Sequence, residues 1–178
     1  MNLDRIETLR LRGERLAPRH AEIWRAMGAD ATLMAPLGGP WNSEQAREKL
    51  RWNLRQWHEN GHGQWLFFLR EGGTFVGRCG IRKMPVNQRE EIELGYSVMP
   101  AWWGKGYAPE MSTKALDIAF TTFHYPSVVA FTRLENHRSE RVMQKLGFQF
   151  EATIVHAGEP HVLYRLRNPN ITDAGNGE

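Results

Sequence analysis

The spacing of apolar positions changes along the chain, and each change predicts an element. Thr8 to Arg12 alternates leucine with polar residues, which suits a strand half buried against a core. A helix from Pro18 to Met27 follows, with proline at a first-turn position and Ile23 and Met27 four apart. Residues 35 to 42, rich in Gly and Pro, read as a loop. Ser43 is the predicted N-cap of a long helix whose stripe is Ala46, Leu50, Leu54 and Trp57, and Gly61 ends it. Gln64 to Arg70 and Thr74 to Arg82 are strand-like runs flanking Glu71-Gly72-Gly73, the composition of a tight hairpin. In a third strand, Ile92 to Val98, the residues Leu94, Tyr96 and Val98 share one face and Glu93, Gly95 and Ser97 the other. Met111, Ala115, Ala119 and Phe123 give helical spacing over Pro109 to Phe123, and Ser127 to Arg133 is again a strand. Asn136 caps a short helix that closes at Gly147. Phe148 to Val155 and His161 to Leu166 form a last hairpin, and the polar stretch from Asn168 to Glu178 reads as a flexible tail. The sum is a mixed α/β single domain spanning 1–167, with about seven strands and about four helices.

Composition restricts what such a domain does. A length of 178 residues leaves no room for a second domain, and 41% hydrophobic with 24% charged residues are globular values. The formal charge of +3 is too mild for a dedicated nucleic-acid binder. Neither an apolar signal region nor a run of about eighteen apolar residues is present, so a cytoplasmic protein with no membrane partner is expected. The one cysteine, Cys79, allows no internal disulfide and reads as a small buried residue in a strand. Seven histidines are scattered without a ligand-like pair, because Gly61 interrupts the spacing of His58 and His62. No metal site is expected.

The informative segment is Glu93 to Glu110, where a strand runs through Pro100 into a turn containing Gly104 and Gly106 and then into a helix. Glycines let backbone approach a ligand, and a helix N-terminus offers free N–H groups, so the arrangement can cradle a pyrophosphate. An ordinary tight connection would use the same residues. Two nucleotide motifs are excluded: a P-loop would need glycine at Met99, and a Rossmann fingerprint would need it at Pro109.

Trp103-Gly104-Lys105-Gly106-Tyr107-Ala108 resembles the Q/R-x-x-G-x-G/A signature of the GNAT superfamily of acyl-CoA-dependent N-acyltransferases. Leu94-Gly95-Tyr96, Pro100 and the run from Trp103 to Glu110 resemble more closely the branch containing bacterial ribosomal-protein N-terminal acetyltransferases. Asn136-His137-Arg138-Ser139 through Lys145-Leu146-Gly147-Phe148 is similar to a second motif of that branch, and Thr8 to Arg12 fits it too. The resemblance spans roughly residues 6 to 167. It implies a twisted mixed sheet splayed open between the strands at 92–98 and 127–133, with acetyl-CoA as cosubstrate in the opening.

On that resemblance, the amides of Gly104, Lys105, Gly106, Tyr107 and Ala108 receive the pyrophosphate, and the backbone at Ser97, Val98 and Met99 pairs with the pantetheine arm. Asn136 bonds a pantetheine amide or serves only as a cap. Lys105, Arg138 and Arg141 contact phosphates or are solvated helix surface. Where the family has Gln or Arg, this chain has Trp103, which costs a long polar side chain but no main-chain donor.

Transfer from a thioester to an amine requires a neutral amine, a donor for the oxyanion and stabilisation of the leaving thiolate. An α-amine, with a pKa near 8 against about 10.4 for an alkylamine, is the easier acceptor to deprotonate. Glu93 is the candidate base or amine binder, with a structural salt bridge as its alternative. Ser139 resembles the serine assigned in the branch to protonate the sulfur, and Met143 stands where many relatives have a tyrosine for that task. Trp41 and Trp52 are candidates for the wall of the acceptor cleft. The expected function is N-acetylation of a protein N-terminal or small-molecule amine, and its alternative is a noncatalytic acyl-CoA-binding module. Relatives commonly form homodimers, although no heptad or other interface signal is present in this chain.

Overall fold

A computed structural model describes residues 2–171. Eight strands form one sheet in the order β1-β2-β3-β4-β5-β6-β8-β7. The strands are β1 (Arg5–Glu7), β2 (Leu11–Arg15), β3 (Gln64–Leu69), β4 (Phe75–Val86), β5 (Arg89–Val98), β6 (Ser127–Arg133), β7 (Gln149–His156) and β8 (Glu159–Arg167). The helices are α1 (Ala21–Ala29), α2 (Ala31–Met34), α3 (Ser43–Asn60), α4 (Tyr107–Thr121) and α5 (His137–Lys145). Every neighbouring pair is antiparallel except β5 with β6. The α/β class and the mixed sheet agree with the sequence, and there is one more strand and one more helix than expected.

The extra strand comes from the N-terminal segment. Its alternation suggests one strand through Thr8 to Arg12, yet Leu9 is 85% exposed, and the segment from Thr8 to Arg10 joins two strands, with the Thr8 N–H donating to the Leu11 carbonyl. The local pattern loses to an ionic tether. Glu110, in the first turn of α4, accepts from the Thr8 hydroxyl at 2.6 Å, from the Arg10 amide at 2.8 Å and from the Arg10 guanidinium at 2.7 Å. Arg10 also donates to the Lys105 carbonyl at 2.9 Å and lies over the Tyr107 ring. The outer edge of the sheet is thereby fastened to the turn between β5 and α4.

β3 shows how the core is layered. Trp65 and Phe67 pack into the main cluster with α4 residues such as Met111, Ala115 and Ile118. Leu66 and Phe68, on the opposite face, pack with Trp24, Met27 and Leu33 of α1 and α2. A strand covered on both sides reads as a continuous apolar run. β5 is buried on both faces as well, so Glu93, Gly95 and Ser97 lie beneath the α1–α3 layer rather than in solvent.

Local chemistry sets the remaining boundaries. The N-cap of α3 is Asn42, not Ser43, because Asn42 and Gln45 exchange side-chain and backbone hydrogen bonds, both at 2.9 Å. α2 begins at Asp30, whose carboxylate accepts from the Leu33 N–H. β4 and β5 extend well past the apolar run and turn at Asn87 and Gln88, both with positive φ. Asn168, expected to open a flexible tail, is buried and donates to the carbonyls of Phe120 and Tyr125. Most of the expected tail, residues 172–178, lies outside the described residues. Among the described residues, no helix is long and apolar enough to cross a membrane.

Burial alone would raise the Glu110 carboxyl, but the hydrogen bonds from Thr8 and Arg10, with the Arg10 charge, outweigh it and hold the group below its ordinary value. A depressed carboxyl contributes stability that is present above its unfolded value, near 4.3, and is lost as pH falls through its folded value. Glu110→Gln is expected to lower Tm at pH 7 by roughly 2–5 °C, a gap that closes on acidification below about pH 4. An equal gap at every pH would refute the ionic account of the tether.

Candidate active site

The site is built on a seam in the sheet. β5 and β6 share one register pair, Glu93 with Val129, while each keeps its outer neighbour along nearly its whole length. The Met99 N–H donates to the Val76 carbonyl at 2.8 Å, which fixes the alternation of β5. Residues 95, 97 and 99 direct their amides to β4, and Tyr96 and Val98 direct theirs to the seam. Of the three residues expected to offer backbone to a pantetheine arm, only Val98 therefore presents its amide there. Met99 is committed to Val76, and the Ser97 backbone faces β4.

One cleft, of about 640 Å³, opens from the seam along α4 and α5. Its lining includes Ser97, Val98, Gly104, Gly106, Tyr107, Ala108, Asn136, Arg138, Ser139 and Arg141, as the sequence motifs require. Met99 and Lys105 are not in the lining. The Lys105 ammonium lies over the Trp102 ring, 4.5 Å from its centroid, so it is not brought to the cleft as a phosphate contact. Lys145, one turn beyond Arg141 on α5, lines it instead. The i, i+4 spacing of Arg141 and Lys145 is the signal that could have found it.

The lining fits a polyphosphate. Arg138, Arg141 and Lys145 supply three cations, and among the described residues no Asp or Glu borders the cleft. Gly104 has φ of +74° with open space where a Cβ would stand, and Gly106 has φ of +78° at the N-cap of α4. The helix starts at Tyr107, two residues earlier than its apolar spacing suggests, which brings its free N–H groups to the turn. Trp103 explains its own departure from the family pattern. Its indole N–H donates to the Val98 carbonyl at 2.6 Å and its ring underlies the Arg138 guanidinium, so it pins the turn to the end of β5.

A second cleft, of about 760 Å³, lies on the α1–α3 side of the seam. Trp41 and Trp52 line it as expected, together with Trp24, while Trp57 packs edge-on against Trp65 in the core. Glu93 lines it with only 4% of its surface exposed. Arg82 donates to both of its carboxylate oxygens, at 2.8 and 2.7 Å, across the side-chain-free position of Gly95. Glu93 is thus an ion-pair partner that keeps further lone pairs for a ligand N–H.

The two clefts share Pro36, Leu37, Tyr96 and Ser139, of which Tyr96 and Ser139 bring hydroxyls. The Tyr96 hydroxyl is 2.8 Å from Ser139 Oγ and within 2.9 Å of the Ser139 carbonyl. Asn136 caps α5 by accepting from the Ser139 N–H at 3.3 Å and donates to the Thr132 hydroxyl. Burial raises the Tyr96 phenol above its ordinary value, so it remains a donor. In the sequence Tyr96 stands out only as a member of a strand face and of the Leu94-Gly95-Tyr96 motif, and Met143, where relatives have a tyrosine, is buried. The alternation of β5 was the available signal, since it turns Tyr96 toward the face on which α5 packs.

Two other candidates are structural. Burial pushes the Cys79 thiol up to about 12, with Ser112 as its partner. His62 is buried between the Ile81 carbonyl and the Tyr125 hydroxyl. Among the described residues, no group of His, Cys, Asp or Glu is arranged to hold a metal.

The family described as "Acetyltransferase (GNAT) domain" matches residues 9–149. Protein YkkB of Bacillus subtilis (strain 168) is 29% identical over 152 residues, which cover 84% of this chain and 87% of that protein. An acetyltransferase of Agrobacterium tumefaciens str. C58 superposes with a TM-score of 0.82 at 26% identity, covering 94% of this chain and 96% of the other. The ribosomal-protein-S5-alanine acetyltransferase of Vibrio fischeri shares the fold, with a TM-score of 0.75 at 17% identity over 93% of this chain and 97% of the other.

Gly106→Val forces a branched side chain into a left-handed backbone position and fills the turn. Calorimetric titration is expected to show CoA affinity reduced at least tenfold, an estimate of about 1.4 kcal/mol. Unchanged affinity would remove the turn from the binding site.

Proposed function

This chain belongs to the GNAT acetyltransferase family, and from that premise we propose that it moves an acetyl group from acetyl-CoA to a primary amine by direct transfer. The acceptor class is a protein N-terminal α-amine or a small-molecule amine. One observation carries the reading: a cationic cleft without carboxylates and a second cleft holding Glu93 meet at a single hydroxyl pair, Tyr96 and Ser139. A ternary complex needs donor and acceptor to reach the same atoms from two sides.

Acetyl-CoA, when bound, supplies an acyl group activated as a thioester. Arg138, Arg141 and the amides of Gly104 to Ala108 hold its phosphates, and the free main-chain groups of Tyr96 and Val98 lie where its arm would pass. The Val98 N–H polarises the acyl carbonyl. Glu93 orients the amine with the lone pairs that Arg82 leaves free, and solvent takes the proton. In the transfer the amine nitrogen bonds the acyl carbon, the carbon–sulfur bond breaks, nitrogen gives up one proton and sulfur gains one. The Tyr96 phenol donates to the Ser139 carbonyl and lies 2.8 Å from Ser139 Oγ, and when its proton turns to Oγ the serine proton is released to stabilise the sulfur. A cytoplasmic setting, in which Cys79 stays a free thiol, belongs to the same proposal.

The test is to mix the protein with acetyl-CoA and a panel of amines and peptides and to follow free thiol. Acceptor-dependent thiol release is expected, and tight CoA binding without it would favour a noncatalytic binding module. Ser139→Ala and Tyr96→Phe are each expected to lower kcat by around 10²-fold with CoA affinity retained. Because the two hydroxyls act as one unit, the double variant should lose little more than either single one. Fully additive losses would show that they act separately.

A further inference from the structure

The acceptor cleft carries a charge imbalance that an amine alone does not explain. Lys49, Arg51, Arg55, Arg78, Arg82 and Arg133 line it, against Glu48 and Glu93. A site shaped only for amines would invert that ratio, since amines are cationic until they lose a proton. Arg82 is accounted for by Glu93. Arg78 is not. It stands four residues before Arg82 on β4, on the same face, and only 9% of its surface is exposed.

Its Nε and Nη1 are buried with no hydrogen-bond partner, and its guanidinium lies 5.5 Å from the centroid of the Trp24 ring. The Trp24 indole N–H, in the same wall, is also without an acceptor. Burial pulls the Arg78 guanidinium down to about 10, which still leaves it charged at neutral pH. Lys49 belongs to the same cluster, its ammonium held below its ordinary value by burial first and then by the charges of Arg78 and Arg82. A buried cation without a counter-ion destabilises a fold, and unpaired donors beside it add to that cost. Arg78 Nε and Nη1 and the Trp24 indole N–H, with Lys49 beside them, therefore converge on a wall of the cleft where nothing among the described residues accepts from the three donors.

Building on the transferase reading, we infer that the acceptor carries an anionic group, a carboxylate or a phosphate-type group, in addition to its amine, and that Arg78 receives it with Lys49 beside it. The amine then lies toward Glu93 and the hydroxyl pair, and the anion toward α1. Both groups of one small molecule are fixed, which orients the nitrogen for attack. Polyamines and other multiply cationic amines are disfavoured by the same charges.

The experiment uses matched acceptors on two scaffolds: 4-aminobutyrate, 4-aminobutanamide and 1,4-diaminobutane, and 5-aminopentanoate, 5-aminopentanamide and 1,5-diaminopentane. 3-Aminopropylphosphonate separates a phosphate-type preference from a carboxylate one. The anionic members are expected to exceed their amides in kcat/KM by about tenfold to a hundredfold. Arg78→Gln should remove that advantage, lowering kcat/KM for the anionic members far more than for their amides. Equal or higher rates with amides or diamines, or an equal loss on every acceptor, would overturn the inference.

If no acceptor releases thiol, the transferase reading fails and the subsite is judged by binding alone. Glutarate, which has no amine, is titrated into the CoA-saturated protein, with heat expected from the natural chain and none from Arg78→Gln. No heat from the natural chain, or equal heat from both, would overturn the inference. Arg78→Met supplies the stability control, with Tm expected to equal or exceed that of the natural chain. A clear fall would make Arg78 a structural residue and would also overturn it.

Discussion

Everything at the site depends on β5 and β6 parting after one shared position. Backbone N–H and C=O groups inside a protein need partners, and a seam in a sheet exposes them where water is scarce. β5 does not unravel there, because β4 holds it to Val98, nor does β6, because β8 pairs with it from Ser127 to Arg133. The exposed groups at Tyr96 and Val98 are therefore presented in fixed directions. One is satisfied internally, the Val98 carbonyl by Trp103, and that same bond fastens the glycine turn against the end of the strand. From the other side, Arg10 holds the Lys105 carbonyl and Glu110 holds Arg10. A turn that must stay open and left-handed at two glycines is thus braced at both ends by side chains from elsewhere in the fold.

The seam also joins the two faces of the sheet. The helix layers bury separate apolar clusters, and only at the parting can a group on one face meet a group on the other. Tyr96 uses this geometry. Its phenol reaches Ser139 at the start of α5, while the neighbouring positions Glu93 and Gly95 line the opposite cleft. The two clefts differ in their electrostatics. One collects cations and, among the described residues, no carboxylates, whereas the other pairs Arg82 with Glu93 and leaves two buried nitrogens of Arg78 without a hydrogen-bond partner. Fold stability alone does not account for a buried guanidinium without an acceptor, and a ligand does.

Much of this was legible before the structure. Period-two runs gave the central strands, the glycine turn and the Asn136 helix were each evident from local chemistry, and together they carried the family. What could not be read depended on contacts distant in sequence. Leu9 and Leu11 alternate as one strand would, but Glu110, about a hundred residues away, turns that segment into a hairpin corner. Lys105 has the right type and position for a phosphate contact, yet its ammonium lies over the Trp102 ring and Lys145 takes the place in the lining. Glu93 was placed correctly in the strand, but its ion pair with Arg82 depends on strand register and on the absent side chain at Gly95. Tyr96 was read as one member of a strand face, because nothing local shows that α5 begins where its phenol ends.

Donor and acceptor are proposed to meet at the hydroxyl pair in the seam. A crystal structure with CoA bound tests this most directly. The pyrophosphate is expected on the amides of the Gly104–Ala108 turn and the CoA sulfur within hydrogen-bond reach of the Ser139 hydroxyl, beside Tyr96. A sulfur lying away from that pair, or a CoA running outside the seam, would contradict it.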